Sequence, residues 1–269
     1  MNTLKDFLRR YAIVLFFPLA YLLSWWSVLV PQANGGIMPQ GPAAAALILI
    51  ALAEGRAGLS TWWKRITNWH INWTWYLAAP GIMIAFHIGG GLINLLMGAT
   101  LHPLELSKIW PGVIMLVFLG GQWEEPGWTA YALPKLQERF AGRPLPATAI
   151  LGALRAIWHL PLMFSGAIPW YDVVFLSFAF QFMISWLYNR TNGSAWIVIL
   201  FHFTSNILGV VTHQLFTGPD WARHYILFIA VAFTLTALLV ANTAPRLGMR
   251  ANAEQPLGFT HGRAHGVRR

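Results

Sequence analysis

The stretch QWEEPGWTAYALP, residues 122–134, places two adjacent carboxylates, Glu124 and Glu125, at the end of an apolar run, IWPGVIMLVFLGG, that carries no charge. Each ionisable side chain near a bilayer centre costs on the order of 2.5–3.5 kcal/mol on insertion scales, so such residues need compensation from a bundle interior. Further along, Arg155 and His159 in LRAIWHLP stand four apart, as do His202 and Asn206 in FHFTSN. Four residues is about one helical turn, so each pair shares a face. Carboxylates of this kind can act as bases toward water, and imidazole or amide groups can donate to a developing oxyanion. Glu124 and Glu125 are about 100° apart on a helix, so one is expected to face a cavity and the other to bind supporting groups. Pro126 and Gly127 follow at once; a proline there removes a donor and is expected to bend the helix beside the acids.

Other chemistries lack their signatures. Ser165, Ser177, Ser185, Ser194 and Ser205 have no GxSxG frame, and no HExxH is present. The chain has no cysteine, hence no disulfide framework, thiolate metal site or thiol nucleophile. His87, in IAFHIGGG, and His213 read as helix-contact histidines.

The elements that position these residues follow from composition. The chain is 57% hydrophobic and 10% charged, with 15 Trp among 269 residues; soluble domains carry about a quarter charged residues. An all-α polytopic membrane protein is expected, with about eight spans near 11–31, 42–54, 73–97, 109–133, 146–166, 171–188, 194–216 and 224–242. The first lacks a small-residue cleavage site and reads as a retained span. Residues 1–242 form one transmembrane domain, with a core at about 109–215; 243–269 form a basic tail, expected to be disordered. With the N-terminus in the cytoplasm, fifteen of the eighteen Lys and Arg fall on the cytoplasmic side. Only Lys108 and Arg223 lie outside, and Arg155 lies within a span. Both termini are therefore expected in the cytoplasm, and the net charge of +9 reads as a topology signal, with no nucleic acid as partner. STWWKRITNWHINWTWY, residues 60–76, reads as an interfacial elbow, its rings at headgroup level and its cations toward anionic lipid. At a rise of about 1.5 Å per residue, Glu124, His202 and His159 lie roughly 8, 12 and 20 Å from the cytoplasmic edge. Tilt absorbs those differences, so the three meet in the cytoplasmic half.

EEPGWTAYALPKL, IWHLPLMF and ILFHFTSNILG, in that order on successive spans, resemble the CAAX-protease and bacteriocin-processing (CPBP) family of Rce1-like intramembrane proteases, also called the ABI family. The resemblance covers roughly 109–215. The family pattern has a double Glu followed four residues later by Arg, an aromatic four before a His, and a His four before Asn. Glu124, Glu125, His159, His202 and Asn206 match it. Thr129 stands where the arginine would be, and Arg155 where the aromatic would be. The only acids expected in the membrane core are Glu124 and Glu125, so Arg155 is expected to pair with Glu125, or else Glu124, supplying the cation that position 129 lacks.

The resemblance implies an intramembrane endopeptidase acting on a membrane-associated or lipidated peptide, in the cell inner membrane. Glu124 would be the general base, His159 would hold the water, His202 and Asn206 would donate to the oxyanion, and Glu125 would orient the site. No cofactor is then required. The enzymatic alternative is Zn²⁺ held by Glu124, His159 and His202 with an open water position. Two further alternatives are a non-catalytic binding or immunity protein of the same fold, and a proton-coupled transporter; the absence of repeated broken helices weighs against the last.

Overall fold

The structure, a computed structural model, describes residues 2–30 and 36–249. Among these it contains helices and no strand. In chain order they are α1 (Asn2–Trp25), α2 (Gly41–Ala53), α3 (Gly55–Ile66), α4 (Thr74–Leu96), α5 (Leu106–Leu119), the three-residue α6 (Glu125–Gly127), α7 (Leu133–Arg139), α8 (Pro144–Trp158), α9 (Leu160–Phe164), α10 (Ser177–Arg190), α11 (Ala195–Leu215) and α12 (Gly218–Thr243). The protein is an all-helical integral membrane protein. Residues 250–269 of the expected tail lie outside the described residues.

Among the described residues, five helical segments are long and apolar enough to cross a membrane: Leu4–Leu29, Thr74–Leu96, Pro144–Phe164, Ala195–Leu215 and Gly218–Thr243. The expectation of eight spans is therefore not met by length and composition alone. Gly41–Ala53 is apolar but short. The expected span at 109–133 is not one helix: α5 stops at Leu119, where Gly120 is extended (φ −73°, ψ 156°). A 3-10 turn (Gly121–Glu124), α6, and a π turn (Trp128–Ala132) then carry the chain to α7. Pro126 occupies the first turn of α6, where a missing N–H costs nothing. The break thus lies before the acids, at Gly120, and not at the proline.

A broken helix inside a membrane must satisfy its loose backbone groups from protein. Here the partners are side chains. Gln122 Nε2 donates to the Leu116 carbonyl (2.5 Å) and Trp123 Nε1 to that of Val117 (2.8 Å), closing the end of α5. From α3, Trp62 Nε1 donates to the Pro126 carbonyl (2.7 Å) and Arg65 to that of Ala130 (3.1 Å). Two members of the expected interfacial elbow therefore turn inward. Their role as lipid-facing groups is corrected: they hold the broken segment. Gly127 permits the remaining contact, since any Cβ there would strike the Pro42 backbone at 2.3 Å, and α2 packs directly on α6.

The core beside this segment is aromatic. Phe16 of α1 meets Trp128 edge-on (centroids 5.2 Å), and Trp128 meets Trp158 of α8 (6.1 Å). Helix α1 also clamps the last turn of α8: Tyr21 donates to the Leu154 carbonyl (2.6 Å) and Trp25 to that of Trp158 (3.0 Å). The packed pairs α8 with α10 and α4 with α11 and α12 complete the bundle.

Candidate active site

The broken segment and α8 meet at one side chain. Arg155 is buried and its Nη2 donates to Glu124 Oε2 (2.9 Å) and to Glu125 Oε1. Its Nη1 donates to Gln181 Oε1 of α10 (3.3 Å). The expected pairing of Arg155 is thus present, to both acids at once. The expectation that the two acids must diverge is corrected: in the tight turn their side chains converge on one guanidinium. Their second oxygens do part. Glu125 Oε2 accepts from Thr129 Oγ1 (2.5 Å), so the residue at the family's arginine position still holds the same carboxylate. Glu124 Oε1 turns instead toward Gly121.

His202 of α11 enters from the opposite side. Its Nδ1 lies 2.7 Å from Glu125 Oε1, which makes Nδ1 the protonated, donating nitrogen. That leaves Nε2 facing Gly121. A methyl group on Gly121 would sit 2.7 Å from His202 Nε2 and 2.9 Å from Glu124 Oε1. A carboxylate oxygen and an imidazole nitrogen therefore converge on one small space that only glycine leaves open.

His159 caps α8. Its backbone N–H tightens back to the Ala156 carbonyl (3.1 Å), which frees the Arg155 carbonyl for the ring's Nδ1–H (2.9 Å). The bond fixes the tautomer and leaves Nε2 as an acceptor. No hydrogen bond joins His159 to Glu124, Glu125 or His202 among the described residues; it belongs to the cluster through Arg155. Asn206 lies one turn from His202 and donates to Gln122 Oε1 (3.0 Å), which ties α11 to the break.

Sequence reasoning missed several members. Gln122 and Gln181 are buried amides inside apolar helices, and polarity alone could have flagged them. Asp172, inside the span expected at 171–188, is a third buried acid, which corrects the expectation of only two. Tyr225 and Ser177 (3.4 Å) donate to it, and it is close enough to His159 to interact with it electrostatically. His87 stands apart from the cluster, against His224 and Phe228, and His213 packs on Trp221 (4.8 Å).

The alternative reading puts a zinc ion on Glu124, His159 and His202. Among the described residues, no three His, Asp or Glu side chains are grouped to hold a metal ion. Arg155 already lies against both carboxylates, so a second cation there would meet its repulsion.

Residues 106–208 match the family described as Type II CAAX prenyl endopeptidase Rce1-like. The chain is also similar to CAAX prenyl protease 2 of Methanococcus maripaludis, 29% identical over 106 residues. That alignment covers 35% of this chain and 38% of the relative's length. Glu124, Glu125, Arg155, His159, His202 and Asn206 all lie within residues 106–208.

Proposed function

We propose, from the match of residues 106–208 to the Rce1-like family, that the chain is an intramembrane endopeptidase that cleaves a lipidated, membrane-associated peptide. The observation that carries the reading is the convergence of Glu124 Oε1 and His202 Nε2 at Gly121.

Water in that space would give a proton to Glu124 and attack the scissile carbonyl; as the C–N bond breaks, Glu124 passes that proton to the departing amine. Glu125 Oε1 holds the Nδ1–H of His202 and so turns Nε2 toward the same space, where it accepts the water's second hydrogen and fixes the direction of attack. Glu125 also holds Arg155, with Thr129 fixing its other oxygen. His159, its Nε2 free to accept, orients the water or the leaving amine. Asn206 has a second amide N–H beyond the one given to Gln122, available for the oxyanion. Arg155 supplies the positive charge beside the acids, so this reading runs without a metal.

The lipidated substrate class rests on the family and on the relative's name. The test is release of a C-terminal fragment from a prenylated peptide by the protein reconstituted in liposomes, with metal content measured on the same active fraction. Cleavage at well under one metal per chain supports the proposal. Absence of cleavage of prenylated and unprenylated peptides alike overturns the enzyme reading, and activity that tracks a stoichiometric metal overturns the mechanism.

A further inference from the structure

A second polar site lies outside the cluster, where several helix ends meet on one face. Gln137 of α7 donates to Asn189 of α10 (3.0 Å), and Asn189 donates to the Leu247 carbonyl beyond α12 (2.9 Å). Ser194, which caps α11, donates to the Asn68 carbonyl beyond α3 (2.7 Å). The distribution of Lys and Arg assigns this face to the cytoplasm. Between the segment that follows α3 and the turn that follows α10 is a cavity of about 200 Å³. Arg190, His70 and the amides of Asn68, Asn72 and Asn192 line it beside Trp75, and no carboxylate is among its lining residues.

The local structure leaves these donors free. Helix α10 ends at Arg190, and the chain turns through Asn192 and Gly193 at φ 54° and 78°. Thr191 Oγ1 donates to the Leu187 carbonyl (2.7 Å) and the Gly193 N–H to that of Tyr188 (2.9 Å). Two of the carbonyls whose negative ends would oppose an anion are therefore already partnered. The stem of Arg190 is held by the segment after α12: a Cβ on Gly248 would meet Arg190 Cγ at 2.8 Å and Trp186 Cδ1 at 2.9 Å. Yet among the described residues the Arg190 guanidinium has no ion pair or hydrogen bond, and neither does the His70 ring or the Asn192 amide. Asn72 Oδ1 accepts from the Thr74 N–H (3.0 Å) and hydroxyl (2.9 Å), which leaves its Nδ2 to donate.

A held guanidinium among amide and imidazole donors, with no acid beside it, selects an anion, and its planar fork matches a phosphate. The cavity equals roughly seven waters at about 30 Å³ each, room for a phosphodiester and little more. Trp69 and Trp73, 49% and 69% exposed, lie on the same segment, and indoles of this kind sit at headgroup level. We propose that Arg190, His70, Asn72 and Asn192 bind the phosphate of an anionic phospholipid, whose acyl chains leave past Trp69 and Trp73. The lining offers no carboxylate to the ammonium of a zwitterionic head, which sets the preference for an anionic one. Bound there, the lipid joins α3, which holds the broken segment through Trp62 and Arg65, to α10, which holds Arg155 through Gln181. The site shares no residue with the Glu124 cluster and stands whether or not that cluster is catalytic.

The test is native mass spectrometry of the full chain in detergent, titrated with phosphatidylglycerol or with phosphatidylcholine of the same acyl chains. Glycerol 3-phosphate serves as the soluble competitor. One phosphatidylglycerol should bind per chain, more tightly than phosphatidylcholine, and glycerol 3-phosphate at equal concentration should not displace it. Arg190→Gln should weaken that binding by about tenfold, the worth of a hydrogen bond to a charged group. Lys64→Gln, an exposed cation outside the cavity, should change it by less than about twofold, since exposed charges contribute little. Should Arg190→Gln fail to fold, Asn192→Asp gives a second route. Aspartate tolerates the positive φ there, and its charge in the cavity should weaken binding with Arg190 retained. Equal affinity for phosphatidylcholine would overturn the proposal, as would full binding by Arg190→Gln or Asn192→Asp. An equal loss in Lys64→Gln would show diffuse surface charge, and displacement by glycerol 3-phosphate a soluble phosphate ligand; either overturns it.

Discussion

Removing Arg155 tests the cluster as an electrostatic unit. Arg155→Met keeps much of the side chain's length and apolar stem but deletes the bonds to Glu124 Oε2 (2.9 Å), Glu125 Oε1 and Gln181 Oε1 (3.3 Å). Both carboxylates are then buried without a guanidinium, and breaking a buried pair in this way costs about 3–5 kcal/mol. Against a total of roughly 5–15 kcal/mol for a folded domain, that is a large fraction. Adding Glu125→Gln to Arg155→Met removes one of the two uncompensated charges while keeping an acceptor oxygen for His202 and giving the Thr129 hydroxyl an amide N–H to accept. The double variant should therefore be more stable than Arg155→Met alone, by roughly 1–3 kcal/mol, the range measured for directly coupled neighbours. Thermal unfolding of the four proteins in one detergent reads the cycle. If the two substitutions simply add, or the double variant is the least stable of the four, the guanidinium does not hold the acids and the charge argument fails.

Three other outcomes follow. Gly121→Ala places a methyl 2.7 Å from His202 Nε2 and 2.9 Å from Glu124 Oε1; peptide cleavage should fall by about 100-fold, since small misplacement at a reacting centre has that effect, while thermal unfolding shifts little. Cleavage at near wild-type rate would show that the space at Gly121 is not used. Arg155→Phe should lose cleavage, and Thr129→Arg in the same chain should restore part of it, because position 129 already contacts Glu125 (2.5 Å); a double variant no better than the single would show that the two positions are uncoupled. Cysteines introduced at 36–40 and at 55–61 should label from opposite faces of the membrane, as the distribution of Lys and Arg requires. Labelling from one face would overturn the expected orientation.

The parts of the site that sequence made legible are those carried by cost and period. Charges in apolar runs identified Glu124, Glu125 and Arg155, and one-turn spacing joined Arg155 to His159 and His202 to Asn206. Arg155 and His202 meet the acids directly, His159 meets Arg155, and Asn206 meets Gln122. The break at Gly120 was not legible, because apolar periodicity reads straight through a Gly-Gly pair and Pro126 supplied a more obvious cause. Gly121 was invisible for the same reason: its role lies in what its missing side chain leaves open. Trp62 and Arg65 read as interfacial because aromatic and basic residues usually are, and only the loose carbonyls of the broken segment give them another use. The convergence of adjacent acids followed from the tight 3-10 turn that carries them, which an α-helical wheel does not represent. His87 was read as a contact residue; the ring it meets, His224, sits at the far end of the sequence, beyond the reach of local spacing.

The central claim, that Glu124 is the base of a hydrolytic site, is tested most directly by Glu124→Gln in liposomes carrying a prenylated reporter peptide. The substitution keeps the side chain's shape and an acceptor for Arg155, so folding and substrate binding should persist with KM within about threefold. The turnover number should fall by about 10²–10⁴, the contribution of a positioned general base. Turnover by Glu124→Gln within tenfold of wild type would contradict the account.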